Sequence, residues 1–273
     1  MYAYAHSRYS NCMNLRPLLI LIASIALSGC GADREPIQVN NWRIDTGHNL
    51  PHPIKILHIS DLHYQEDTGP AVMDELAKIA GATQPDIIAI TGDLTGENSV
   101  VTDRIRPVII DDLEGLSERL GAYVTLGNHD SDRWIKPLSE SSLKLIEGYT
   151  ESIVVNGVEL CVRGLQDSFS RGYLHVPFRS DCEGFKLTLT HDPLSLQLDP
   201  EDGLYLAGHT HGCGQIRLPL IGALWVPTDA SEEYHCGYGT DGLKTWIVSS
   251  GVGTTFIDVR IGTTSSVELV EMY

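Results

Sequence analysis

Basic side chains are scarce in this sequence: 19 Lys and Arg stand against 36 Asp and Glu in 273 residues, a formal net charge of −17. Nucleic-acid affinity comes largely from Lys and Arg displacing counterions from phosphates, so stable DNA or RNA binding is not expected. A small phosphate-bearing substrate stays within reach only where something local, such as a bound cation, reverses the field. No apolar run reaches the roughly 20 residues that cross a bilayer as a helix, which excludes a polytopic membrane protein. Internal repeats and low-complexity tracts are also missing. With 42% hydrophobic and 20% charged residues, the chain reads as globular, neither fibrous nor disordered. One compact domain with a sizeable core is the expectation.

The longest apolar stretch, residues 17–27, follows Arg16 and is followed by Ser28-Gly29-Cys30. It has the length and flanks of a secretory h-region. Leu27-Ser28-Gly29-Cys30 resembles the bacterial lipobox, in which cleavage before the Cys exposes it to lipidation. The expected organisation is a lipoprotein signal peptide over 1–29, a tether over 30–50 lipidated at Cys30, and a domain over 51–273. Residues 37–44 read alternatively as a first strand, and the apolar run as a plain signal or a short anchor. The start is expected at either Met1 or Met13. The expected location is the cell envelope, periplasmic or outer-membrane in a Gram-negative host.

Four Cys then remain, Cys161, Cys182, Cys213 and Cys236. Four allow three pairings in an oxidising compartment, and sequence alone does not choose. Nearest-neighbour pairing, Cys161 with Cys182 and Cys213 with Cys236, is preferred; buried free thiols are the alternative.

Along the body, residues 54–59, 86–90 and 123–126 read as buried strands, separated by helical spacing at Val72, Leu76, Ile79 and Ala80 and by a helix over 108–120 with Pro107 near its start. Strand and helix in alternation imply right-handed crossovers and a parallel sheet, with the site at the carboxyl ends of the strands. After residue 150 the texture changes. Asn156-Gly157 between β-branched runs is a hairpin signal, and strands follow over 186–190, 204–207, 246–249 and 267–270.

Five polar clusters sit at strand ends: Asp61-Leu62-His63, Gly92-Asp93, Gly127-Asn128-His129-Asp130, His191-Asp192 and Gly208-His209-Thr210-His211-Gly212. Singly, each is an ordinary turn or a lone His. Together they supply carboxylates, imidazoles and an amide, flanked by glycines that let backbone approach closely. Asp61 and His63, like His209 and His211, are two apart and point the same way from an extended backbone. Mixed N and O donors suit Zn, Mn, Fe or Co better than Ca or Mg.

The order Asp-x-His, Gly-Asp, Gly-Asn-His-Asp, His, Gly-His-x-His resembles the calcineurin-like metallophosphoesterase superfamily, across about residues 54–260. The resemblance implies an α/β fold, a four-layer α/β/β/α sandwich of two mixed sheets flanked by helices. It implies two transition-metal ions, one held by Asp61, His63 and His211, the other by Asn128, His191 and His209, with Asp93 bridging through its two oxygens. Such a pair clamps a phosphate and lowers the pKa of a water toward ~7. It implies His129 as the general acid, with Asp130 orienting its ring.

Departures narrow the branch. Leu94-Thr95-Gly96 stands where protein phosphatases carry Asp-Arg-Gly, so the arginines that fork onto a monoester are absent, and Gly96 takes the place of the purple acid phosphatases' Tyr ligand. The Gly-His-Thr-His-Gly signature and Gly251-Val252-Gly253-Thr254 are similar to a bacterial membrane-associated phosphodiesterase branch. Cys213 is inserted before Gly214-Gln215, which suits a disulfide to Cys236. The implied function is hydrolysis of phosphodiesters at the envelope; the alternatives are a phosphomonoesterase and a non-catalytic, metal-dependent binding lipoprotein. The loop over 168–183 is expected to lie over the site and set substrate choice.

Overall fold

The structure is a computed structural model that describes residues 35–47, 50–96, 100–117, 121–255 and 257–273. The expected signal peptide and Cys30 lie outside these residues. From Pro36 to Tyr273 the chain forms one body that holds, among the described residues, both six-stranded sheets, three hydrophobic cores and two disulfides, so a chain starting at Gly31 keeps all of them.

Two six-stranded sheets organise that body. The first runs β1 (Gln38–Ile44), β14 (Ser266–Met272), β2 (Ile54–Ile59), β3 (Ile87–Thr91), β4 (Gly121–Thr125), β5 (Lys144–Leu145). The second runs β12 (Gly237–Thr240), β13 (Lys244–Val248), β9 (Gly203–Ala207), β8 (Phe185–Leu189), β7 (Val158–Gly164), β6 (Thr150–Val155). A short hairpin, β10 (Arg217–Leu218) with β11 (Gly222–Ala223), stands apart. Helices α1 (Gly69–Thr83) and α2 (Val100–Ser117) are the crossovers that make β2, β3 and β4 parallel. Three short helices follow, α3 (Ile135–Ser139), α4 (Ser168–Arg171) and α5 (Pro193–Leu198).

Strand alternation shows why the sheets stack. In β3, Ile88 and Ile90 pack with Leu76, Ile109 and Leu113 of α1 and α2, whereas Ile87 and Ala89 pack with Leu160, Leu187 and Leu204 of the second sheet. Every residue of β3 is buried, as expected of a strand covered on both faces. A third core, Leu165, Leu196, Tyr205 and Trp246, seats α5 on the outer face of the second sheet. The layers are helix, sheet, sheet, helix, and both sheets are mixed: the expected α/β sandwich.

Two expectations need correction. Pro107 does not mark a helix start; it lies inside α2, which begins at Val100. Proline in a helix interior costs about 3 kcal/mol, but Ile105, Ile109, Ile110 and Leu113 on the same helix are buried, and their packing outweighs the lost bond. Within the stretch expected as a tether over 30–50, the alternative reading of residues 37–44 as a first strand is the one that holds: Gln38–Ile44 is β1, paired in parallel with β14 from Gln38↔Ser266 to Ile44↔Met272. Its partner is the carboxyl-terminal strand, over 200 residues away, so the strand was legible locally and its pairing was not.

Candidate metal centre

The carboxyl ends of β2, β3 and β4 meet those of β8 and β9 across the two sheets, and the five clusters converge there. Asp61, His63 and His211 form one buried group of metal-ligand atoms, all within 4.8 Å of one another; Asp93, His191 and His209 form a second. Asn128 joins the second group, its Oδ1 3.0 Å from His191 Nε2. All seven residues picked from the sequence are therefore at one centre.

Asp93 connects the groups, but through a single oxygen. Its Oδ2 lies 3.4 Å from His63 Nε2 and 3.3 Å from His191 Nε2. Its Oδ1 instead accepts a hydrogen bond of 2.9 Å from the His129 backbone N–H. One oxygen anchors the carboxylate to the loop, and the other stands between the two groups. Asp61 is divided in the same way. Its Oδ2 accepts from the Ser60 hydroxyl at 2.6 Å and from the His209 N–H at 3.0 Å, and Oδ1 has no hydrogen-bond partner.

The backbone also differs from expectation. Asp61, His63, Asp93, His209 and His211 have φ values of 50°, 41°, 53°, 69° and 50°, so the ligand loops coil through left-handed residues and are not extended. Each such residue costs on the order of 1–3 kcal/mol and persists only where the surroundings hold it. Here Asp61 N–H donates to Gly92 O at 3.1 Å, His63 N–H to Asp93 O at 2.9 Å and Val252 N–H to Ser60 O at 3.0 Å. Glycine is required at Gly208 and Gly127, where a Cβ would meet the Ser60 hydroxyl and the Asp93 carboxylate respectively.

The protonation states favour a cation. Thr91 O lies 2.7 Å from His191 Nδ1, which fixes that nitrogen as donor and turns Nε2 toward Asp93 and Asn128. Burial lowers the pKa of His63 and His211 and pushes His209 down to about 3, so these rings offer neutral lone pairs. Burial works against charge on His191 as well, yet Asp93 raises it well above the ordinary imidazole value. Burial likewise opposes ionisation of Asp93, and His191, His63 and His129 overcome it and keep the group a carboxylate. Positive charge is what this array is built to hold. Asp61 Oδ1 and His63 Nε2, both buried without a hydrogen-bond partner, fit a metal ion, which would satisfy their otherwise costly desolvation.

Beside the centre a cleft of about 470 Å³ is lined by His63, His129, Glu66, Thr95, Thr254 and Asp258 among others. The His129 ring stands edge-on to that of His63, centroids 5.2 Å apart. Asp130 does not orient it: its carboxylate accepts from the N–H groups of Leu94 at 3.0 Å and Gly127 at 2.9 Å. The Asp130 N–H closes a turn onto Gly127 O, and this turn carries the side chain away from the ring of its neighbour. Burial, then the Asp93 charge, pushes Asp130 up to about 7.

The calcineurin-like phosphoesterase profile matches residues 54–213, which takes in every candidate ligand from Asp61 to His211. The chain belongs to this family. Its sequence is 27% identical to the bovine transmembrane protein with metallophosphoesterase domain over 93% of this chain and 61% of that protein, so the chain spans well under two thirds of that relative. It is 25% identical to the phosphodiesterase YaeI of Escherichia coli K12 over 81% of this chain and 82% of YaeI. Over a third of the chain it is 31% identical to the UDP-2,3-diacylglucosamine pyrophosphatase LpxG of Chlamydia trachomatis, covering 26% of that protein. Among the described residues no helix is long and apolar enough to cross a membrane.

The preferred nearest-neighbour disulfides are both present, Cys213 joined to Cys236 and Cys161 to Cys182. Other features of the site were less legible. Phe169 of α4 covers His209, ring centroids 4.8 Å apart, so the loop over 168–183 reaches the centre only at its start. Its far end is fastened through Cys182 to Cys161 in β7, opposite Lys186 at the start of β8, away from the ligand end. Sequence reasoning missed Arg260. Its guanidinium donates to Ser250 O at 2.8 Å and Gly251 O at 3.1 Å, and lies 3.3 Å from His211 Nδ1, clamping the glycine loop against a ligand. The only sequence signal nearby was the Gly251-Val252-Gly253-Thr254 run.

Proposed function

We propose that this phosphoesterase hydrolyses phosphodiesters with two metal ions, one on Asp61, His63 and His211 and one on Asn128, His191 and His209, and that lipidation of Cys30 holds it in a bacterial envelope. The observation that supports the reading is Asp93 Oδ2 standing within 3.4 Å of an imidazole of each group, a placement that would suit two ions side by side. Such ions supply positive charge to the phosphoryl oxygens and acidify the attacking water. His129, which lines the cleft, donates the proton that the leaving alkoxide needs. Phe169 and the buried walls keep bulk water from the ligands.

Preference for diesters rests on the cleft wall. Among the described lining residues there is no Arg or Lys, and Glu66 and Asp258 are carboxylates. A monoester dianion would meet no fixed guanidinium there, whereas a diester carries one charge fewer. The name of YaeI, a phosphodiesterase, points the same way. The protein starting at Gly31, stripped of metal and reloaded with Mn, Zn, Fe or Co, tests this with an aryl phosphodiester and the matching monoester. Metal-dependent turnover that favours the diester and is lost in Asp93→Asn is expected; turnover without metal, or intact turnover in that variant, excludes the mechanism.

A further inference from the structure

The hairpin β10–β11 turns four large apolar side chains to solvent beside the cleft. Leu220 at its tip is fully exposed, and Ile221, Leu224 and Trp225 are 69%, 53% and 58% exposed. Ile257, also half-exposed, is held at the hairpin base, where the Gln215 amide donates to its carbonyl at 2.7 Å. Leu220 further adopts a φ of 67°, a conformation that a branched apolar residue rarely takes. In water a turn tip of this kind selects Gly or Asn. A bare Leu-Ile tip is unfavourable in backbone and in side chain alike.

Two observations identify what covers it. Residues 203–228 contain no Asp or Glu, in a chain with 36 of them, and the hairpin itself carries Arg217. The hairpin segment itself is spared the negative charge that would repel an anionic headgroup layer, the nearest carboxylates being those of the cleft, such as Asp258 beside Ile257. The second observation is where the chain enters the body. β1 starts with Gln38 beside Ser266, and β14 runs antiparallel to β2 with Glu268 opposite His58. Pro36 therefore lies at the same end of the first sheet as the ligand loop after β2. Six peptide links separate Cys30 from Pro36, a reach of about 20 Å when extended. An anchor on Cys30 would hold the cleft end of the body close to the bilayer.

We propose that this hairpin inserts Leu220 and Ile221 into a phospholipid bilayer, with Trp225 at the headgroup level, and so presents the metal centre to the membrane surface. Indole rings favour that level because one edge is polar and the body apolar. The hairpin springs from the same segment as His209 and His211, and the Cys213–Cys236 disulfide braces its base, so docking sets the cleft against the lipid face. The inference deepens the phosphodiesterase reading by naming where its substrate is met. Docking itself needs no turnover.

Co-sedimentation of the protein starting at Gly31 with vesicles of phosphatidylcholine, alone and mixed with phosphatidylglycerol, tests it against the Leu220→Asp/Ile221→Asp double variant. The unsubstituted protein should pellet with vesicles and blue-shift its Trp225 emission, and the variant should lose at least about tenfold in partitioning. Metal content and hydrolysis of a soluble aryl diester should be the same in both. If neither protein hydrolyses the diester but only the variant stays in solution, docking stands and the phosphodiesterase reading fails. Equal pelleting of the two, or no pelleting of the unsubstituted protein on either vesicle, overturns the proposal. So does a dimer of the unsubstituted protein that the variant converts to a monomer without any vesicle binding, which would make the covering surface a second copy.

Discussion

The Asp61 carboxylate accepts a hydrogen bond of 3.0 Å from the backbone N–H of His209, joining two loops that are 148 residues apart in the chain. One loop follows β2 in the first sheet and the other follows β9 in the second. This bond ties the two halves of the metal centre across the sheet interface and leaves Asp61 Oδ1 directed at His211, 3.6 Å away. In Asp61 and Asp93 alike, one carboxylate oxygen is committed to a backbone N–H and the other faces the candidate ligand imidazoles.

Gly208→Ala tests that tie without touching a ligand. The new Cβ would lie on the Ser60 hydroxyl and 2.5 Å from Asp61 Oδ2, so the carboxylate must swing and the bond to His209 must open. The group at Asp61, His63 and His211 should lose its ion first, with metal affinity down about 10–100-fold, as when other groups that orient ligands are disturbed. Elemental analysis across a metal titration reads this. Undisturbed binding of both ions would show that the Asp61 orientation does not matter.

His129→Ala separates two jobs done by one residue. The backbone N–H that holds Asp93 Oδ1 survives the substitution, so metal content should hardly change. The ring proton is lost, and the rate should fall by about 10²–10⁴ for poor leaving groups and far less for good ones. A series of aryl diesters of graded leaving-group acidity gives the slope. Equal losses along the series would remove His129 from the acid role.

The convergence of the candidate ligands was legible because metal chemistry permits few residue types, and the parallel strands deliver those residues in a fixed order to one end of the sheets. The layers were legible from strands such as β3, apolar on both faces. What the sequence concealed was set by distant partners. Nothing near Ile37 announces pairing with β14, and Pro107 reads as a helix start until the burial of Ile105 and Ile109 is known. Asp130, adjacent to His129, invites a catalytic role, yet a turn aims it at Leu94 and Gly127. Left-handed backbone at Asp61 and His211 has no residue signature, because the hydrogen bonds that impose it come from Gly92 and other loops.

The two disulfides should be alike in stability and unlike in function. Their sequence separations are 21 and 23, so each stabilises by about 3 kcal/mol through loop closure. Cys213 is two residues from His211, whereas Cys161 lies opposite Lys186, five residues or about 16 Å along the strand from His191. Cys161→Ser/Cys182→Ser and Cys213→Ser/Cys236→Ser should thus lower the denaturation midpoint similarly, and only the second pair should weaken metal binding. Equal metal affinity in the two double variants would show that the brace beside His211 is irrelevant to the site.

His58 should contribute strongly to the acid side of the stability profile. It is fully buried in β2, with Nε2 2.8 Å from the Thr91 hydroxyl and Nδ1 without a hydrogen-bond partner. Burial pushes it down to about 3 from an ordinary value of 6.5. Below pH 6.5 the unfolded chain therefore binds a proton that the folded chain excludes. Stability is fully present above pH 6.5 and falls as pH drops toward 3, by about 1.4 kcal/mol per unit from this group. His58→Gln keeps a partner for Thr91 and removes the titration, so its unfolding free energy should fall less steeply between pH 6 and pH 4. Urea titrations of both proteins across that window give the two slopes. If they coincide, the folded state accommodates the His58 proton, and the loss of stability in acid belongs to the histidines of the metal centre.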